Sequence, residues 1–89
     1  MIALYCVNWT ESERGWGQRP DGYTLHKDFK TAKEFIDKHW DSMPPTTPDI
    51  YSFPSEPFIT EASKEECEIA LKEGSFWGKG KLRSKFRSV

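Results

Sequence analysis

The chain has 89 residues, 36% of them apolar and 15% aromatic, with a formal net charge of −1. That length holds one domain (1–89) with a thin core, and no apolar run approaches the roughly 20 residues that a membrane-crossing helix needs, which sets aside a multidomain enzyme and a helical membrane protein. The small net charge hides an asymmetry: residues 1–78 hold all 14 acids against 8 bases, a balance of −6, whereas the last eleven, KGKLRSKFRSV, carry five bases and no acid.

In chain order, IALYCVNWT (residues 2–10) is rich in strand formers, and both of its alternating sets are largely apolar: Ile2, Leu4 and Cys6 on one side, Ala3, Tyr5, Val7 and Trp9 on the other. Such a strand belongs inside a sheet or is covered on both faces. ESERG reads as a turn closing on Gly15, residues 16–18 as a short extended piece, RPDG (19–22) as a type I turn, and YTLH as a short strand. A helix is predicted over 31–43: Thr31 and Glu34 form a capping-box pattern, and Ala32, Phe35, Ile36, His39, Trp40 and Met43 recur at helical spacing. Five prolines in PPTTPDIYSFPSEP (44–57) argue for a loop without regular structure, pinned to the body by Ile50, Tyr51 and Phe53.

FITEA reads as a third strand, and Ser63 to Glu66 repeats the capping box for a second helix over 64–73, stopped by Gly74. In SFWGKGKLRSKF the bases of the basic C-terminal segment (79–89) fall at every second position, so an extended conformation would give a fourth strand with one basic edge. Such a tail serves either as an arm for a polyanion or as a strap folded back on its own acidic body, anchored by Trp77, Leu82 and Phe86. The sum is an α+β fold in β-β-α-β-α order, with a small three- to four-stranded sheet and two helices packed on one face.

Chemistry is sparse along the chain. Cys6 sits in an apolar strand and Cys67 on an apolar helix stripe, as expected of reduced, buried thiols rather than nucleophiles or a disulfide. His39, beside Trp40, reads as a core or boundary histidine. No metal-ligand spacing and no phosphate-loop pattern occurs, so no metal, no cofactor and no catalytic residue is assigned, and a non-enzymatic protein is expected. MIALYCVNW lacks the features of a signal peptide, which points to the cytoplasm.

The densest cluster of rings and charge is NWTESERGWGQRPDGYTLH (8–26), with Trp9, Arg14, Trp16 and Arg19 on adjacent pieces of chain and His26 at the end of the strand. Rings beside guanidinium groups stack a base and pair its phosphate. A packed β-bulge, with Glu11 tied to Arg14 or Arg19, accounts for the same residues. Phe76, Trp77, Lys79 and Lys81 form a second ring-and-base cluster.

Small size, a ring-rich and idiosyncratic sequence and the lack of a catalytic signature resemble the accessory proteins of bacteriophages, including those that disarm host defence. The resemblance implies two modes, sequestering a small signalling nucleotide or plugging the surface of a host protein. The leading expectation is therefore a binding protein for a small anionic, nucleotide-like ligand. Trp9, Trp16 and Trp77 would stack the base, and Arg14, Arg19, His26, Lys79 and Lys81 would hold the phosphates, with a homo-oligomer completing a pocket that one thin domain has little room for. The alternative is an inhibitor that docks its acidic or aromatic surface on a host defence or nucleic-acid-processing protein. Nucleic-acid binding through the tail ranks last, because the acidic body repels flanking phosphates; no membrane partner is expected.

Overall fold

The structure, a computed structural model, describes residues 2–46 and 48–84. The elements run β1 (Ile2–Glu13), β2 (Gly17–His26), α1 (Phe29–Asp41), β3 (Ile50–Pro54), β4 (Phe58–Ala62), α2 (Lys64–Glu73) and β5 (Phe76–Lys79). All strand pairs are antiparallel, in the order β3-β1-β2-β5, with β4 also on β1. Strands β3 and β4 follow one another along the same edge of β1: β3 pairs with Trp9 to Glu13 and β4 with Ile2 to Cys6. Asn8 stitches the gap, its carbonyl accepting from Ser55 N (2.8 Å) and its N–H donating to Ser55 Oγ (3.0 Å).

The α+β class holds, but among the described residues the sheet has five strands instead of three to four, and the order is β-β-α-β-β-α-β instead of β-β-α-β-α. Three details of the sheet and its cover also differ from expectation. The Pro-rich segment 44–57 contains β3, because its prolines fall outside the strand or at its end while Ile50, Tyr51 and Phe53 suit a strand interior. RPDG is no turn: β2 runs straight through it. The register moves from Trp9↔Gly22 to Thr10↔Pro20 and leaves Asp21 as the extra residue of a bulge. Pro20 costs no ladder bond to β5, which begins pairing only at Gly22.

The third difference is the placement of the helices, on opposite faces of the sheet. Helix α1 packs Ala32 and Ile36 on Tyr5, Val7 and Trp9, whereas α2 packs Ala70 and Cys67 on Leu4, Cys6, Leu25 and Ala62. The two-sided apolar pattern of β1 requires this arrangement, since a strand covered on one face alone would present Val7 and Trp9, or Leu4 and Cys6, to water. The run of β3 and β4 along one edge carries the chain from one face to the other.

Local signals set the helix ends. The Ser63 to Glu66 capping box is closed in both directions, Ser63 N donating to Glu66 Oε1 (2.9 Å) and Glu66 N to Ser63 Oγ (3.1 Å), and Gly74 ends the helix at φ 89°. For α1 the cap is Asp28 rather than Thr31. Its Oδ1 accepts from Thr31 N at 2.7 Å, so the helix begins at Phe29, two residues earlier than predicted.

Two glycines bring β2 and β5 together under aromatic rings. Gly78 lies directly opposite Tyr23, whose ring fills the space that a Cβ would take. On the other face, a Cβ on Gly22 would press on the Gly78 carbonyl oxygen and on the Trp77 ring. Each ring covers backbone that any larger residue would push away.

Candidate functional site

The eight residues singled out in the sequence do not form one site. Arg14 and Trp16 sit at the tip of the β1–β2 hairpin, in a turn where Trp16 N donates to the Glu13 carbonyl (3.0 Å) and Gly15 takes φ 82°. Trp16 is 82% exposed. Glu13, at the base of that turn, already lies four residues beyond Trp9, about 13 Å at the usual strand rise, which separates the two rings. The Arg14 backbone N–H donates to the Asp49 carbonyl (2.8 Å), its guanidinium makes a long, exposed ion pair with the Asp49 carboxylate (3.8 Å), and the residue lines a separate depression of about 270 Å³ with Ser12, Pro48, Asp49 and Tyr51.

Arg19 is engaged by its own strand partners. Its guanidinium donates to Glu11 Oε1 (2.8 Å) and Glu13 Oε2 (3.1 Å), and these hydrogen bonds, chiefly that to Glu11, raise its pKa further. Two carboxylates against one guanidinium leave a local negative balance and oppose an incoming phosphate. The expected tie of Glu11 to Arg19 is present, as an exposed cross-strand pair beside the bulge at Asp21.

His26 is fully buried and so cannot meet a phosphate. Its ring lies 5.0 Å from that of Phe35, and its Nε2 is 2.8 Å from Thr24 Oγ1. The Thr24 oxygen also accepts from Trp9 Nε1 at 2.9 Å and so links the two rings. Among the described residues, His26 Nδ1 has no hydrogen-bond partner. Burial pushes the His26 pKa down to about 4, which keeps the ring neutral near pH 7.

Trp9 and Trp77, 68 positions apart, do come together. They line a cleft of about 200 Å³ with Asp21, Phe35, His39 and Ser52. Trp9 forms its buried wall, set edge-on to Phe35 (centroids 5.9 Å apart) and to His39 (4.7 Å). Trp77, opposite Thr24 on β5, is 46% exposed and forms the open wall. His39 Nε2 donates to the Ser52 carbonyl at 2.7 Å, fastening the end of α1 to β3 and leaving Nδ1 as an acceptor when the ring is neutral. The Ser52 hydroxyl donates to Asp21 Oδ2 at 2.7 Å.

Asp21 enters this cleft because it is the bulged residue of β2. The extra residue changes the alternation and turns a carboxylate toward the α1 face, while its carbonyl is held by Gly80 N at 2.8 Å. The sequence reading missed Asp21, Phe35, His39 and Ser52. The signal for Asp21 was present in the Pro-Asp-Gly run, which marks a bulge as well as a turn; Ser52 has no signal of its own, since only the β1–β3 pairing brings it to the cleft.

Lys79 lies two residues beyond Trp77 on the same side of β5, and both Lys79 and Lys81 are exposed. The even basic edge expected of the tail ends here, because Gly80, at φ 80°, breaks the extended run. Arg83 turns inward on the opposite face of the sheet. Lys85, Phe86 and Arg87 lie outside the described residues.

Both cysteines are free thiols, Cys6 buried and Cys67 half-buried, and burial pushes the Cys6 pKa up to about 12, far from nucleophilic character at neutral pH. Among the described residues no three His, Cys, Asp or Glu side chains are placed to share a metal ion, and no helix is long and apolar enough to cross a membrane. Comparison with known proteins adds no relative: no family model matches the chain, and neither a curated protein nor a solved structure is detectably similar.

Proposed function

We propose that the protein is a non-enzymatic binding protein that takes the base of a small nucleotide-like anion into the Trp9–Trp77 cleft. One observation carries the reading: two tryptophans from opposite ends of the chain meet in a ring-lined cleft into which a bulge turns a carboxylate. Planar rings stack on such walls with little dependence on sequence or shape. Asp21 keeps Oδ1 for an exocyclic amino group, since its Oδ2 is taken by Ser52. The phosphates then have to point away from Asp21, toward Lys79 and Lys81. Arg14, Trp16, Arg19 and His26, first grouped with the ligand, play no part in it. In a phage setting this is sequestration of a signalling nucleotide, and a second subunit closing the open wall of the cleft is the form of homo-oligomer that would tighten it.

The test is a titration of the full chain with adenosine, guanosine, cytidine and uridine monophosphates, read by tryptophan quenching. Trp77→Ala is expected to weaken binding by a stacking contribution of about 1 to 3 kcal/mol. Asp21→Asn is expected to reduce the preference for amino-bearing bases over uracil. Absence of quenching by all four nucleotides would sink the reading, as would loss of binding in Trp16→Ala with Trp77→Ala unaffected.

A second reading, docking on another protein, is favoured by the 82% exposure of Trp16 at the end of a projecting hairpin in a molecule 41 Å long and 19 Å thin. An exposed tryptophan beside an arginine has the composition of an interface anchor. Retention of a host protein by the wild-type chain but not by Trp16→Ala would establish that mode.

A further inference from the structure

The face of the sheet away from the cleft holds a second built arrangement, and it is occupied. Residues 81–84 cross the α2 side without regular structure, yet Arg83 and Ser84 are held by backbone and side-chain bonds. The side-chain amide of Asn8 pairs with the Arg83 backbone as a neighbouring strand would, Nδ2 donating to the Arg83 carbonyl (3.0 Å) and Oδ1 accepting from Arg83 N (2.8 Å). Thr60 Oγ1 donates to the Ser84 carbonyl at 2.8 Å.

The Arg83 side chain fills a shaped socket. One guanidinium edge spans the Glu66 carboxylate, Nη2 donating to Oε1 at 2.9 Å and Nη1 to Oε2. Nη2 also donates to the Glu61 carbonyl (2.6 Å) and Nη1 to the Tyr23 hydroxyl (3.0 Å), and the group lies 5.0 Å from the Tyr23 ring centroid. Both members of the ion pair are largely buried, at 21% and 16% side-chain exposure. Planar geometry, bidentate pairing and ring contact are satisfied together by arginine and not by lysine.

All five contributors, Asn8, Tyr23, Thr60, Glu61 and Glu66, belong to the sheet or to α2 and are held by it, whereas the segment they grip has no ladder or helix of its own. We infer that this face is a recognition site for an extended, arginine-bearing peptide segment, filled in the resting protein by the chain's own residues 81–84. The partner is a protein whose exposed basic segment displaces the tail. Charge complementarity favours such an occupant, because the body carries −6 over residues 1–78. The tether gives the tail an effective concentration in the millimolar range, so a partner has to exceed its own tail in affinity or find it detached.

The experiment uses the full chain and the probe peptide KGKLRSK, labelled at its N-terminus, with a second peptide in which the arginine is lysine. Wild-type protein is expected to bind weakly. Arg83→Ala, which empties the socket, is expected to bind the arginine peptide at least about tenfold more tightly than wild type does, and the lysine peptide at least about tenfold more weakly than the arginine one. Adding Glu66→Gln to Arg83→Ala is expected to abolish that difference. Equal binding of the two peptides by a folded Arg83→Ala chain, or no binding, would overturn the inference. If Arg83→Ala does not fold, the answer comes from wild-type protein by hydrogen exchange at the Arg83 N–H. Arginine peptide at about 10 mM is expected to speed exchange while lysine peptide is not; no difference between the two overturns the proposal.

Discussion

The two faces of the β2–β5 ladder repeat one device and use it differently. On the α1 face Trp77 lies against Gly22; on the α2 face Tyr23 lies over Gly78. Each ring has a carboxylate nearby, Asp21 on one side and Glu66 on the other. Glu66 is saturated by two guanidinium nitrogens, the Ser63 backbone and the Tyr23 hydroxyl, whereas among the described residues the Asp21 carboxylate is met by a single serine hydroxyl. Ring over glycine is therefore a packing solution for a thin domain with few aliphatic residues, and what distinguishes the open cleft from the filled socket is whether the neighbouring charge is already satisfied by the chain itself.

The comparison breaks most severely at Trp9, which supports the cleft from beneath and is 3% exposed. Trp9→Ala is expected to cost about 3 to 5 kcal/mol, a large part of the 5 to 15 kcal/mol typical of a whole domain. Urea unfolding followed by far-UV circular dichroism measures it. Trp77→Ala, at the open wall of the same cleft, is expected to cost far less. Equal losses would mean that the cleft is core.

Next in size is the lock on the α2 face. Arg83→Ala removes the guanidinium from Glu66 and Tyr23 and is expected to cost about 1.5 to 3 kcal/mol, the range for hydrogen bonds to charged groups. Arg83→Lys should recover less than half of it, because a single ammonium cannot span both carboxylate oxygens. Full recovery by lysine would reduce the socket to simple charge pairing.

The two faces are also expected to separate in acid. His26, below the cleft, has a folded pKa near 4 against about 6.5 unfolded, so its unfolded form takes up the proton first and stability falls as pH drops from about 6.5 toward 4. Glu66 is held down to about 2, first by the Arg83 hydrogen bonds and, beyond them, by the capping bond from Ser63. Its contribution is present above about pH 4.5 and is lost between there and pH 2. Unfolding free energies measured across this span should show two phases, the first flattened by His26→Gln and the second by Glu66→Gln. A single phase unaffected by His26→Gln would contradict its buried neutral state.

The smallest effect is expected at the hairpin tip. Trp16→Ala should change stability by no more than about 0.5 kcal/mol, since an exposed ring loses little contact when removed. A melting temperature lowered as far as that of Arg83→Ala would show that Trp16 is covered in solution, and so would favour docking or self-association through the tip.

Patterns confined to neighbouring residues were legible from the chain alone. Apolar residues on both sides of β1, the closed box at Ser63 and Glu66, and Gly74 as the stop each act over a few positions, where backbone geometry dictates the outcome. The two-sided β1 reads as lying inside a sheet or covered on both faces, yet both helices were expected on one face, because helix periodicity by itself does not say which side of a sheet a helix takes. What depended on pairing between distant segments was decided only by the fold. Pro-Asp-Gly is compatible with a turn or a bulge, and the β1 register made it a bulge that delivers Asp21. Arg19 carries the same charge whether or not Glu11 and Glu13 lie beside it, and the hairpin put them there. Trp9 meets Trp77, and Arg83 meets Glu66, because β2 pairs with β5 and residues 81–84 fold back across α2. Contacts over such separations are selected by the total burial and charge satisfaction of the whole chain, and no local stretch of sequence contains that sum.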